Sequence, residues 1–288
     1  MVVMNTTSNF WAQRIGRFVL YLFASLVLLF LLLPLLVIIP LSFNSEPFFS
    51  ITTDMLRLQP EAFSLRWYQQ LGAHPNWLLA TRNSLLIGLC ATVLATVLGT
   101  LGALGLNHPH IPGRRLLTAL LLSPMIVPVI ILAAGLFFFY APLKLTGTYL
   151  GLIMAHATLG LPFVVLTVTA TLSGLDPSFY RAALNLGATP FQAFRTVLFP
   201  IIRPGVLTGA LFAFMTSFDE VVIVLFLAGP QHKTLPREMF AGLREQINPS
   251  ILAVATLLIL FASLFLFCLY LLQRRSQHLK QGSTNKQP

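Results

Sequence analysis

Long apolar runs separated by short polar stretches organise this chain. A helix that crosses a membrane needs about 20 mostly apolar residues. Six segments meet that length: residues 18–43, 84–106, 116–140, 149–172, 205–228 and 251–272. The pattern predicts an all-α integral membrane protein with six transmembrane helices. Pro34, Pro124, Pro128 and Pro162 fall inside these spans. Neighbouring helices in a membrane can satisfy the carbonyls that prolines leave free.

Composition agrees. Of 288 residues, 56% are hydrophobic and 9% charged, against about 25% charged in a soluble domain. Mean hydropathy is +0.82. The first apolar run exceeds the 7–15 residues of a signal-peptide core and no A-x-A site follows, so it is expected to be retained as a span. Cys90 and Cys268 both lie in apolar runs, which points to no disulfide framework and no metal cluster.

The net charge of +10 is informative through its distribution. With the N-terminus inside, the inner face carries Arg14, Arg17, Arg114, Arg115, Arg181, Arg195, Arg203, Arg274, Arg275, Lys280 and Lys286, and the outer face the remaining seven cations. The excess of basic residues orients both termini to the cytoplasm. Glu46, Asp54, Glu61, Glu238 and Glu245 then all lie outside, and Asp176 inside.

Two further patterns concern packing. Ala91, Ala95, Gly99 and Ala103 recur every four residues in the second span, a row of small side chains that allows close helix approach. The outer stretch 44–83 is expected to hold one or two short surface helices. Its Trp67, Tyr68 and Trp77 suit the headgroup belt.

Between the fourth and fifth spans lies "DPSFYRAALNLGATPFQAFRTVLFP", residues 176–200. Asp176 and Pro177 read as the N-cap and first residue of a short helix. Gly187 suits the left-handed residue that ends it. Thr189 with Gln192 three residues on fits a capping box, opening a second helix at Pro190 that is expected to stop at Pro200. Helices this short are marginal alone, where about 12–15 residues are usually needed, so the insert requires a docking partner. Apolar spans flank it closely and leave no free domain, which excludes DNA binding.

The spacing Ala182-Ala183, Gly187, then Val197 and Pro200 resembles the "EAA" coupling loop in permease subunits of bacterial ABC importers. The resemblance extends over the six-span body. "SFNSEPF", "AHATLGLPFVVLTV", "SFDEVVIVLFLAGP" and "LPREMFAGLREQINPSILAVATLLI" are similar to the second permease of the spermidine/putrescine branch. It implies three regions. Residues 1–80 would be the N-terminal tail, first span and long periplasmic loop. Residues 81–273 would be the permease core, with its helix-turn-helix coupling loop at about 174–204. Residues 274–288 would be a basic cytoplasmic tail.

The resemblance also implies partners: two ATP-binding subunits, a sister permease (a homologous chain or a second copy), and a periplasmic or lipoprotein solute-binding protein. It implies a bacterial inner-membrane location and ATPase-coupling roles for Arg181, Ala182, Ala183, Gly187, Thr189, Pro190, Val197 and Pro200. One position departs from the family. An acidic residue precedes Ala-Ala there and helps seat the loop in a groove of the ATPase, whereas this chain has Arg181. Either the partner supplies a complementary acid, or docking rests on the small and apolar residues.

No G-x-x-x-x-G-K-[ST] phosphate loop occurs, and no H-E-x-x-H or G-x-S-x-G motif. The chain is therefore expected to be no enzyme and to hold no cofactor, with ATP and magnesium bound by the partner ATPase. His108 and His110 in "NHPHIPGRR" are too few to hold a metal and read as a polar turn.

Three ionisable residues fall within spans, and such residues mark functional sites or interhelical bonds. They are His156, Asp219 and Glu220. On one continuous helix Glu220 aligns with Gly209, Ala213, Thr216 and Ser217, which makes it the favoured lining of a pathway, while Asp219 aligns with Phe212, Met215 and Thr216. Acids in a pathway suit a polyamine cation; a carboxylate held between helices is the alternative role. The same importer class for iron, thiamine or phosphonate, and a secondary transporter, stand as other functional readings.

Overall fold

The computed structural model describes residues 6–108, 111–176, 178–245, 249–264 and 267. His110, Pro177, Cys268 and the basic tail with Arg274, Arg275, Lys280 and Lys286 lie outside the described residues, as does the end of the expected sixth span.

The helices in order are α1 (Thr6–Leu41), α2 (Thr53–Leu56), α3 (Arg66–Ala73), α4 (Pro75–Leu106), α5 (Arg114–Ile126), α6 (Val129–Tyr140), α7 (Tyr149–Ser173), α8 (Ser178–Asn185), α9 (Pro190–Ala193), α10 (Phe199–Phe218), α11 (Val222–Leu227) and α12 (Leu235–Glu245). An apolar helix at Ser250–Leu264, α13, stands where the sixth span is expected. Among the described residues, four helices are long and apolar enough to cross a membrane: Gln13–Leu41, Pro75–Leu106, Tyr149–Ser173 and Pro190–Phe218. The bent pair α5 and α6 makes a fifth if counted as one span.

The chain divides into two compact units, one of Met1–Ala73 with Gly242–Pro288 and one of His74–Ala241. In the first unit, α1 leaves its side chains exposed from Gln13 through Leu36. The loop after it is organised by Asn44. Its side chain donates to the carbonyls of Phe48 (3.2 Å) and Ser50 (2.9 Å) and accepts from the amide of Glu46 (2.9 Å). Two short helices, α2 and α3, occur in the stretch 44–83 as expected, joined by a single 3₁₀ turn at Pro60–Ala62. Trp67 corrects the belt assignment. It is 4% exposed, and its indole N–H donates to the Asn44 carbonyl at 2.7 Å. The ring is a core side chain of the folded loop. The second span also starts earlier than its apolar run, because Pro75 supplies a first-turn residue that needs no N–H partner.

In the second unit α4, α7 and α10 pack on one another. The expected row of small residues is this contact: Ala91, Ala95, Gly99 and Ala103 are all buried. A Cβ on Gly99 would lie 2.7 Å from Cβ of Val164. Ala91, Ala95, Ala157, Val164, Val168, Ile202 and Ala213 form one apolar cluster. A second, of Ile87, Ala133, Leu152, Leu159, Ile223 and Val224 among others, joins α4 and α7 to α6 and α11.

Two expected continuous spans are broken. The third bends by 107° between α5 and α6. The residue before a proline is driven out of the helical region, and Val127 before Pro128 has φ −71° and ψ 131°. Pro34, Pro124 and Pro162 are absorbed within helices. The fifth span ends its first helix at Phe218 and restarts at Val222. The expected stop at Pro200 does not occur. Phe194–Leu198 forms a π-helical turn, with the Phe199 amide bonded to the Phe194 carbonyl, and the helix continues to Phe218. A wider turn accommodates a proline that brings no N–H.

Candidate coupling loop and substrate path

The polar insert folds as its caps predict. Asp176 Oδ1 accepts the amide of Ser178 at 2.8 Å. That bond holds the Asp176 carboxyl below the ordinary aspartate range, with a smaller contribution from Arg181. α8 ends in a paired left-handed cap at Gly187, φ 89°. The amides of Gly187 and Ala188 bond the carbonyls of Leu184 (3.0 Å) and Ala183 (3.1 Å), which satisfies groups the helix end leaves free. The capping box is complete. Thr189 Oγ1 accepts from the Gln192 amide at 3.3 Å, and Gln192 Oε1 accepts from the Thr189 amide at 2.9 Å.

Arg181, Ala182, Gly187, Thr189, Pro190 and Pro200 are exposed, and Ala183 and Val197 are partly so. The insert thus presents its residues outward. Inward anchoring comes from Ala193, which is fully buried, and from Phe194 and Leu198 against the α4–α7–α10 core.

Within the spans, the helix break separates the three candidate residues. Asp219 caps the C-terminus of α10 through its amide, 3.1 Å from the Met215 carbonyl. Its carboxylate is exposed and forms no hydrogen bond or ion pair among the described residues. Glu220 is committed: Oε1 accepts the Ile223 amide at 2.9 Å, at the start of α11. A carboxylate at a helix N-terminus satisfies an orphan donor. The alignment that favours Glu220 assumes a continuous helix and therefore fails. Gly209, Ala213 and Ser217 are buried against α7, with Cα of Val164 2.7 Å from where a Gly209 Cβ would stand. That stripe is a packing seam.

His156 lies in the same seam, 1% exposed. Its Nδ1 is 2.8 Å from Ser217 Oγ and 3.1 Å from the Ser217 carbonyl oxygen. It ties α7 to the last turn of α10, just before the break.

A polar node is missed by sequence reasoning. Asn83 is fully buried. Its Nδ2 donates to the carbonyls of Gln231 and Lys233, both at 2.9 Å, and Oδ1 accepts from the Tyr149 hydroxyl at 2.8 Å. Ser84 Oγ accepts the Leu235 amide at 2.8 Å. The His232 ring stands edge-on to Tyr149, centroids 4.4 Å apart. An Asn at the head of an apolar run is the available signal. An apolar groove of about 400 Å³ between α6 and α11, lined by Ala134, Phe137, Phe138, Leu225 and Phe226, contains none of the candidate residues.

Residues 91–278 match the family described as "Binding-protein-dependent transport system inner membrane component". The chain belongs to that family. Its members are membrane components of transport systems. The chain is 29% identical over 260 residues to the spermidine/putrescine transport system permease protein PotC of Escherichia coli (strain K12), covering 90% of this chain and 96% of the relative. It is 30% identical over 255 residues to the putrescine transport system permease protein PotI of the same organism, covering 86% and 88%. The sulfate transport system permease protein CysT of Salmonella typhimurium is 32% identical over 235 residues, covering 76% and 85%. Among solved structures, a chain of a bacterial ABC transporter involved in import of the acidic polysaccharide alginate superposes with TM-score 0.69 at 16% identity, covering 95% of this chain and 99% of that one. In this inner-membrane family, the fold likeness extends to both described units.

Proposed function

We propose that the chain is the transmembrane permease subunit of an ATP-driven importer for polyamines, cations of the spermidine and putrescine kind. The observation that carries this reading is a pair of adjacent carboxylates at a break in a span, in a chain alike over about nine-tenths of its length to a spermidine/putrescine permease. The Asp219 carboxylate is exposed and without a partner among the described residues, which suits transient pairing with an ammonium group. Glu220 fixes the restart of α11 and so holds the break open. His156 acts behind them by fastening Ser217.

ATP and magnesium bind two partner ATPases seated on the 176–200 insert, and this chain carries neither catalytic residues nor a cofactor. A sister permease completes the path, a homologous chain or a second copy. A periplasmic or lipoprotein binding protein delivers solute to the outer loops, and both termini face the cytoplasm. ATP binding and hydrolysis drive rigid-body alternation between outward-open and inward-open states.

Identity to a sulfate permease favours a second reading, an anion importer of the same build. The two carboxylates oppose it, since like charge in a low-dielectric path repels an anion strongly. Uptake by the assembled importer in proteoliposomes distinguishes the readings. ATP-dependent accumulation of putrescine or spermidine is expected. Uptake of sulfate, iron, thiamine or phosphonate instead would replace the substrate, and uptake without ATP or the ATPase would sink the importer reading.

A further inference from the structure

The coupling insert carries charge that its proposed role has not used. Residues 174–204 hold Arg181, Arg195 and Arg203 against the one acid Asp176, a net +2. Asp176 is already engaged at the start of α8 by the Ser178 amide. Arg181 is exposed; among the described residues it forms no hydrogen bond or ion pair, and has only a weak charge interaction with Asp176. Arg195, also exposed, sits on the π-helical turn that packs against α8.

The exposed side of α8 also carries an apolar stripe. Phe179 and Ala182 on α8, and Leu186 just after its end, stand at i, i+3 and i+7, on one side. Phe179 is 59% and Leu186 88% exposed, with the small Ala182 between them. Tyr180, Ala183 and Leu184 turn partly inward. Arg181 stands about 100° around the helix axis from Ala182, with Ser178 and Asn185 between it and the apolar stripe, at the edge of the exposed side of a helix fixed at both ends by caps. A rigid, shaped surface with one cation at its margin suits a folded groove. An in-plane membrane anchor instead carries several Lys or Arg on its polar face, and α8 has only Arg181.

We propose that Arg181 pairs with a carboxylate of the partner ATPase, so that the coupling contact is charge-inverted relative to permeases with an acid before Ala-Ala, and this charge selects the ATPase. The inference rests on the reading that the insert seats an ATPase. Phe179 and Leu186 supply apolar burial in the groove, and Arg181 fixes orientation and partner choice. Charges at the margin of an interface act mainly on encounter, salt dependence and rejection of wrong partners.

The test uses the assembled importer with its own ATPase, in nanodiscs. Arg181→Gln is expected to weaken ATPase retention by about 3- to 10-fold and Arg181→Glu by about 30-fold or more, since like charges placed together are strongly disfavoured at an interface. Arg181→Lys is expected to retain most binding. The native complex is expected to lose ATPase as salt rises from about 0.05 to about 0.5 M, which shortens the screening length about threefold, and Arg181→Gln less steeply.

Retention unchanged in Arg181→Glu while Gly187→Val, which strains the left-handed cap, releases the ATPase would overturn the charge inference and leave the docking reading standing. If Gly187→Val and deletion of residues 189–192 both leave the ATPase bound, the docking reading itself falls. Intact retention with activity lost only when phosphatidylglycerol is omitted would assign Arg181 to lipid and overturn the proposal.

Discussion

Replacing Asp219 by asparagine isolates the charge at the break from the architecture around it. The Asp219 side chain is exposed and has no hydrogen-bond partner among the described residues, so Asp219→Asn should change unfolding free energy by no more than about 0.5 kcal/mol. The amide that caps α10 is backbone and remains. What the substitution removes is attraction for a cation. Two unit charges about 4 Å apart at an effective dielectric of about 20 attract by about 4 kcal/mol. After competing hydration, a hydrogen bond to a charged group is worth about 1.5–3 kcal/mol, about a 10- to 150-fold change in an equilibrium.

The assay is ATP-driven uptake of putrescine at saturating binding protein, with thermal unfolding of the same preparation alongside. Uptake by Asp219→Asn should fall by about 10- to 150-fold with an unmoved melting temperature. Glu220→Gln, which keeps an oxygen for the Ile223 amide, should lose less. Uptake within about twofold of the unaltered importer, well below the range that a charged hydrogen bond supplies, would refute the solute contact at Asp219. So would a loss of uptake that tracks a lowered melting temperature.

Three other outcomes follow from the packing and the caps. Gly209→Leu should destabilise the unit by about 1–3 kcal/mol through overpacking, because even a Cβ would stand 2.7 Å from Cα of Val164; unchanged unfolding would mean that the seam yields. Thr189→Ala removes one half of the capping box and should cost about 1 kcal/mol, seen as faster proteolysis of residues 186–195 with insertion intact. Asn83→Leu strands the Gln231 and Lys233 carbonyls and the Tyr149 hydroxyl, and should lower stability by about 1–3 kcal/mol for each buried group left unpaired; a neutral result in thermal unfolding would show that water replaces the side chain.

Local rules make much of this protein legible. The caps of the insert involve residues two to five apart, and Asp176, Gly187, Thr189 and Gln192 take the roles that their chemistry predicts. The small row of α4 is equally visible, because a period of four on a helix defines a face whatever it meets. Trp67 escapes for the opposite reason. An aromatic ring in a loop between spans suits a headgroup or a core, and the choice falls to Asn44, whose carbonyl is 23 positions away in sequence. Asn83 shows the same limit, with partners about 150 residues distant.

The sequence by itself determined the class, the spans' approximate places and the caps of the insert, because apolar length and capping act within a few residues. Only the tertiary structure decided where spans break and which acid is free. Hydrophobicity does not report a change of axis, so residues 205–228 read as one helix although the chain breaks after Phe218. That break gives Glu220 to the Ile223 amide and leaves the neighbouring carboxylate exposed, because two residues in series at a helix end serve different chains of hydrogen bonds.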